Sequence, residues 1–236
     1  MLDSLRCLGT CSYLGGVWAV PEDFCWAWGA MREFNTEFVC QPGELIHYTR
    51  AKASLHAGAR NFIASERRGN WTFMTDTDHV MEADTVYKML ALMQKFQVPV
   101  LTGIYQHKAL PHHCMLWHWS EAENGFIPII EYDKNVQVFR VDAMGAGCLL
   151  IANPVFDRMA QAFPDEGPFD HLGRYGEDFS FALRCKRLSI PIYATPLVET
   201  IHLMVRGITE ADYVPDWFES QMFEVACGRE QNGAER

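Results

Sequence analysis

A chain of 236 residues, 49% hydrophobic and 21% charged, has the size and balance of one ordinary α/β domain, able to bury a core without disulfide or metal staples. Its formal net charge of -10 excludes a basic stripe that could displace counterions from a nucleic-acid backbone, so an anionic ligand would need a bridging cation. No apolar run approaches the roughly 20 residues of a membrane span, and Asp3 stands where a secretory signal carries only positive charge, which predicts a cytoplasmic protein without a transmembrane segment.

In chain order, short apolar runs alternate with amphipathic stretches, the pattern of an α/β fold. Leu5–Ser12 reads as a first strand. Beyond Gly15, Gly16 and Pro21, the spacing of Phe24, Ala27, Trp28 and Met31 places them on one buried helix face. Glu37–Cys40 is expected to form a short strand closed by Gln41-Pro42-Gly43, and Glu44–Arg68 a helix. The aromatic and β-branched run Trp71–Thr75 predicts a buried strand that stops abruptly at Asp76-Thr77-Asp78-His79. Asp84 can cap a helix whose inner face holds Val86, Met89, Leu90 and Met93, and Val98–Tyr105 is a further strand.

From Gln106 to Gly125 the periodicity dissolves into a His- and Trp-rich stretch that reads as a long functional loop. Val136–Val141 alternates again. Asp142–Cys148 leads into the strand Leu149–Ile151, and Asn153-Pro154 supply an N-cap and first-turn proline for the helix carrying Phe156, Met159, Ala160 and Phe163. Glu177-Asp178 open a helix with Phe179, Ala182 and Leu183 inward, followed by strands at Pro191–Ala194 and Leu197–Ile201 that end at His202. The 8 cysteines form no Cys-x-x-Cys pair and read as reduced thiols, most of them buried.

Acidic residues at the carboxyl end of a buried strand mark the place where open α/β sheets bind ligands. If the strand stays extended, Asp76 and Asp78 point the same way and can hold a hard divalent cation, Mn²⁺ or Mg²⁺, together with a diphosphate; the plain alternative is a solvated turn. His112, His113 and His118 lack the spacing of a zinc enzyme. Trp117 and Trp119 are candidate acceptor contacts, because sugar faces stack on indoles, with simple burial as an equal alternative.

Four blocks, in this order, resemble GT-A glycosyltransferases of the family-2-like group: Ala59-Arg60-Asn61; Thr75-Asp76-Thr77-Asp78-His79; Val141 through Ile151 with Gly145 and Gly147; and Tyr175-Gly176-Glu177-Asp178-Phe179 onward to Thr200-Ile201-His202-Leu203. The resemblance spans roughly residues 5–205. It implies a single Rossmann-like α/β domain over 1–205, with a mixed central sheet flanked by helices, and leaves 206–236 as a helical or flexible tail. It implies further that Asp76 and Asp78 are the metal and nucleotide motif, with His202 as a third ligand. By the same resemblance Arg60, Asn61, Gly145 and Gly147 would lie against a nucleotide-diphosphate sugar donor, and Asp178, or alternatively Glu177, would be the base that takes the proton of an unidentified glycan or other hydroxyl acceptor.

For Arg60 an exposed helix position is an equal alternative, for the glycines a plain turn, and for Glu177 and Asp178 a helix start that favours acids. The rival classes are a nucleotidyltransferase, which would carry a Gly-rich basic phosphate loop that Gly9–Tyr13 lacks, and a non-catalytic nucleotide-sugar or glycan-binding module.

Overall fold

The computed structural model describes residues 6–15, 22–52, 56–108 and 112–204. The chain divides into two units, Met1–Leu203 and Met204–Arg236, and the tail expected over 206–236 lies outside the described residues. Among the described residues no helix is long and apolar enough to cross a membrane.

The element order is β1 (Arg6–Gly15), α1 (Glu22–Phe38), β2 (Glu44–Lys52), α2 (His56–Ser65), β3 (Trp71–Asp76), β4 (His79–Met81), α3 (Thr85–Phe96) and β5 (Val100–Ile104). These are followed by β6 (Leu116–Ser120), β7 (Gly125–Pro128), β8 (Phe139–Val141), β9 (Ala143–Met144), β10 (Cys148–Ala152), α4 (Asn153–Ala162), α5 (Glu177–Arg187) and β11 (Ile192–His202). The central sheet runs β2-β1-β3-β10-β5-β11-β4, with β8 paired to β11, and β7-β6-β9 form a small second sheet.

Strands β3, β5 and β10 are buried along nearly their whole length, as continuous apolar runs covered on both faces must be. On one face Phe73, Leu101 and Leu150 pack with Met31 of α1 and with Val86, Met89 and Leu92 of α3. On the other, Met74, Leu149 and Ile151 pack with Ile63 of α2, Val155, Phe156 and Met159 of α4, and Phe181, Ala182 and Cys185 of α5. Burial of such aliphatic and aromatic side chains contributes about 1.5–3 kcal/mol each, which holds three layers together and leaves the strand ends free for chemistry.

The register of two strands decides which residues meet. β10 lies antiparallel between β3 and β5, pairing Cys148 with Thr75 and Leu149 with Thr102, so its beginning sits at their carboxyl ends. The Gly145–Gly147 loop therefore joins the same edge as Asp76 and Tyr105. β11 runs parallel to β5, shifts register between Thr195 and Glu199, and continues past the edge to pair His202 with His79 of β4.

Several expected elements differ. Glu37 and Phe38 belong to the last turn of α1, not to a strand. The helix expected over 44–68 is β2 followed by the shorter α2, because Glu44–Lys52 gains a ladder along the full length of β1, a non-local partner that local periodicity does not register. The stretch read as a loop over 106–125 contains β6, paired to β7 and β9. The two strands expected at the C-terminal end of the sheet are one strand with an irregularity. Asn153 is the first residue of α4 rather than its cap: its Oδ1 accepts from Thr72 Oγ1 at 2.6 Å and its Nδ2 donates to the Gly69 carbonyl at 2.8 Å, tying α4 to β3. The seven cysteines among the described residues are all free, and Cys11, Cys114, Cys148 and Cys185 are buried.

Candidate functional site

Arg60 projects from α2 with only 2% of its surface exposed, which requires that its charge be matched locally. Its Nη2 donates to both Asp76 oxygens at 3.1 Å, its Nη1 donates to the Ala146 carbonyl at 2.8 Å, and its Nε lies 3.6 Å from Glu177 Oε1. One guanidinium thus joins the end of β3, the 145–147 loop and the start of α5. Burial alone would lower the Arg60 pKa, but Asp76 and then Glu177 outweigh it and hold the group charged.

Beside this cluster, burial pushes the Asp178 carboxyl up to about 6, with the Glu177 charge adding to the effect and Arg60 opposing it. Asp178 Oδ1 accepts the Phe179 backbone N–H at 2.9 Å.

Asp78 stands in a second group. The chain turns at Thr77 and Asp78, so the extended alternation that would put both acids of the motif on one side does not continue beyond Asp76. Asp76 faces Arg60, whereas Asp78 meets two imidazoles: its Oδ1 lies 2.8 Å from His79 Nδ1 and its Oδ2 lies 3.6 Å from His202 Nε2. Lys108 contacts Oδ2 as well. Burial alone would raise the Asp78 pKa, yet the His202, His79 and Lys108 side chains around it hold it well below the usual carboxylate range. His202 Nδ1 is 2.8 Å from the Gln106 carbonyl. A carbonyl only accepts, so that contact places a proton on His202 Nδ1 and leaves Nε2 as the ring atom through which His202 could bind a cation.

Asp78, His79 and His202 offer ligand atoms within 4.8 Å of one another. His79 is 2% exposed and spends Nδ1 on Asp78 Oδ1, so it fixes the carboxylate, while Asp78 Oδ2 lies opposite His202 Nε2. Two donors 3.6 Å apart can share an ion at about 2.0–2.2 Å from each.

Tyr105, a residue the motif reading overlooked, links the groups. It follows β5, its ring lies edge-on to His79 at 4.5 Å and to His202 at 5.4 Å, and its hydroxyl accepts the Gly147 N–H at 2.9 Å. Burial, then the Asp76 charge, push the Tyr105 phenol well up, so it stays neutral. His79 and Lys108 were likewise given no role by the motif reading. Their signal is proximity in space to Asp78, and only the side-by-side pairing of β4 with β11 and the course of the chain after β5 provide it.

The glycines of the 145–147 loop answer to these neighbours. A Cβ on Gly145 would fall 2.2 Å from the Tyr105 hydroxyl, and one on Gly147 would fall 2.4 Å from His79 Nε2. His79 is enclosed and cannot yield, so Gly147→Ala is expected to destabilise the fold by about 1–3 kcal/mol through overpacking. A urea titration checks this; wild-type stability would show that the loop moves freely.

The Asn61 side chain makes its hydrogen bonds to another segment. Its Nδ2 donates to Asp170 Oδ1 at 2.6 Å and its Oδ1 accepts from the Phe169 N–H at 2.9 Å, clamping the segment ahead of α5. Trp117 is 8% exposed and packs edge-on against Phe179 at 4.7 Å, within the core. Trp119 is half-buried, with the Lys186 ammonium 5.1 Å from its ring centre.

No protein-family model matches the chain, and no curated protein matches it in sequence. Among solved structures it is similar to A197 from STIV, at 15% identity and a TM-score of 0.55, with 85% of this chain covering 87% of that one. It is also similar to GalNAc-T7 with UDP, GalNAc and Mn²⁺, at 12% identity and a TM-score of 0.51, where 86% of this chain spans 44% of the longer protein. A third likeness is to S. aureus TarS 1-349 in complex with UDP-GlcNAc, at 9% identity and a TM-score of 0.50, covering 89% of this chain and 64% of that one. At these identities the likeness is one of architecture: the chain has a GT-A-like, Rossmann-type α/β fold with a mixed central sheet flanked by helices.

Proposed function

We propose that the chain is a metal-dependent glycosyltransferase, hexosyltransferase-like, which moves a sugar from a nucleotide-diphosphate donor to a hydroxyl acceptor. The observation that carries this reading is that Asp78 and His202, 3.6 Å apart, are joined through Tyr105 and Arg60 to the acids that open α5. Ligand pairs of this kind also occur apart from catalysis; it is the buried Asp178, coupled to Arg60 and Tyr105, that favours group transfer.

Asp78 Oδ2 and His202 Nε2 would hold the cation, and an imidazole beside a carboxylate suits Mn²⁺ better than Mg²⁺. When bound, the cation supplies neutralisation of charge on the departing nucleoside diphosphate. His79 keeps Asp78 oriented, and the Gln106 carbonyl keeps His202 in the ligating tautomer. Arg60 holds the carboxylate of Asp76 and the 145–147 backbone together, and these would meet the donor. Asp178, ionised at pH 7 but poorly solvated, takes the proton from the acceptor hydroxyl, with Glu177 as the alternate; such a base would invert the anomeric centre by direct attack. Trp119, the less buried of the two tryptophans, would be the one to meet an acceptor.

Calorimetry with UDP and GDP tests the reading. Binding is expected with Mn²⁺ and is expected to vanish in EDTA, because an acidic protein cannot otherwise hold a diphosphate. Asp78→Asn and His202→Ala should each weaken Mn²⁺-dependent binding by at least about tenfold. Undiminished affinity in EDTA would remove the metal from the proposal. If His202→Ala bound normally but melted early, that residue would be structural.

A further inference from the structure

The two oxygens of Asp78 are unequally available. Oδ1 is engaged by His79 at 2.8 Å, and that imidazole is enclosed with 2% exposure. Oδ2 faces His202 Nε2 at 3.6 Å and is the oxygen on which a cation shared with His202 must sit. The Lys108 ammonium occupies the same oxygen.

The contact is tied into the ligand pair by the backbone. Lys108 stands two residues beyond Gln106, whose carbonyl accepts a hydrogen bond from the His202 Nδ1–H and which bridges to Cys114. The His107 N–H also donates to the His113 carbonyl at 2.8 Å. The base of the lysine is therefore anchored beside His202, while its flexible stem, 38% exposed, leaves the ammonium free to swing away.

We propose that Lys108 is a built-in competitor for the divalent cation. Its ammonium holds Asp78 Oδ2 and must leave when a cation binds there, so the affinity of the site is set by Lys108 as well as by its ligands. This rests on the reading that Asp78 and His202 are the cation ligands. Its consequence is that the protein binds metal alone weakly: an ammonium and a divalent ion repel at one oxygen, and a charge-assisted contact must break first. A diphosphate arriving with the metal gives the displaced ammonium an anionic partner, which couples cation binding to donor binding.

Calorimetric titration of Mn²⁺ into the whole chain, without nucleotide, tests the inference on wild type, Lys108→Met, Lys108→Arg and Asp78→Asn. Lys108→Met is expected to bind Mn²⁺ about threefold to tenfold more tightly than wild type, the range set by a half-exposed ion pair. Lys108→Arg, which keeps the charge, should stay close to wild type. Mn²⁺ binding by Lys108→Met that equals or falls below wild type, while Asp78→Asn still abolishes it, would overturn the competitor role and leave the ligand pair standing. Mn²⁺ binding that no longer depends on Asp78 in any background would instead overturn the ligand pair, and the competitor role with it.

Discussion

Replacing Arg60 by leucine is expected to lower the unfolding free energy by about 3–5 kcal/mol, because breaking a buried ion pair from one side strands the other side's charge. Arg60 is 2% exposed, and removing it leaves Asp76, Glu177 and Asp178 gathered without a countercharge and the Ala146 carbonyl without its donor. Arg60→Lys should recover only part of the loss, since an ammonium cannot span both Asp76 oxygens, the Ala146 carbonyl and Glu177 at once. Urea unfolding at pH 7 and again near pH 4 measures both effects. The deficit should shrink at the lower pH, where Asp178 is protonated and no longer adds its charge to the cluster. A loss below about 1 kcal/mol at pH 7 would mean that solvent reaches the cluster and the guanidinium is not its keystone.

Asp178→Asn has the largest expected effect on activity. Loss of a general base lowers turnover by about a hundredfold to ten-thousandfold with donor affinity nearly unchanged, and Glu177→Gln should be milder. The wild-type rate should fall as pH drops through about 6, where Asp178 takes up its proton. Stability moves the other way. A carboxyl raised from 3.8 to about 6 in the folded state favours folding while it is protonated, and that contribution is lost as pH rises between those values. Asparagine, which cannot ionise, is therefore expected to stabilise the protein at pH 8 by about 3 kcal/mol at most, and to leave it unchanged near pH 3.5. Thermal melts at the two pH values beside single-turnover rates separate the two consequences. Full turnover in both variants would leave Glu177 and Asp178 as an ordinary acidic helix start.

Some of this site is written locally in the chain. The buried run Trp71–Thr75 that halts at Asp76, the acids that open α5 and the apolar run of β10 are patterns of neighbouring residues, and neighbouring residues suffice to specify them. The α/β class follows from their alternation. What the sequence left open depends on partners far apart along the chain. Glu44–Lys52 is a strand because β1 lies beside it, and the His- and Trp-rich stretch yields β6 because β7 and β9 flank it. A turn at Thr77 parts Asp76 from Asp78, sending one acid to a buried guanidinium and the other to two imidazoles. The antiparallel course of β10 presses Gly145 and Gly147 against Tyr105 and His79, so their lack of a Cβ is required first by the protein's own side chains. Periodicity carries information over a few residues, whereas charge pairing acts through space; only the tertiary structure could therefore bring Arg60 to Asp76, His202 to Asp78, and Lys108 to the oxygen between them.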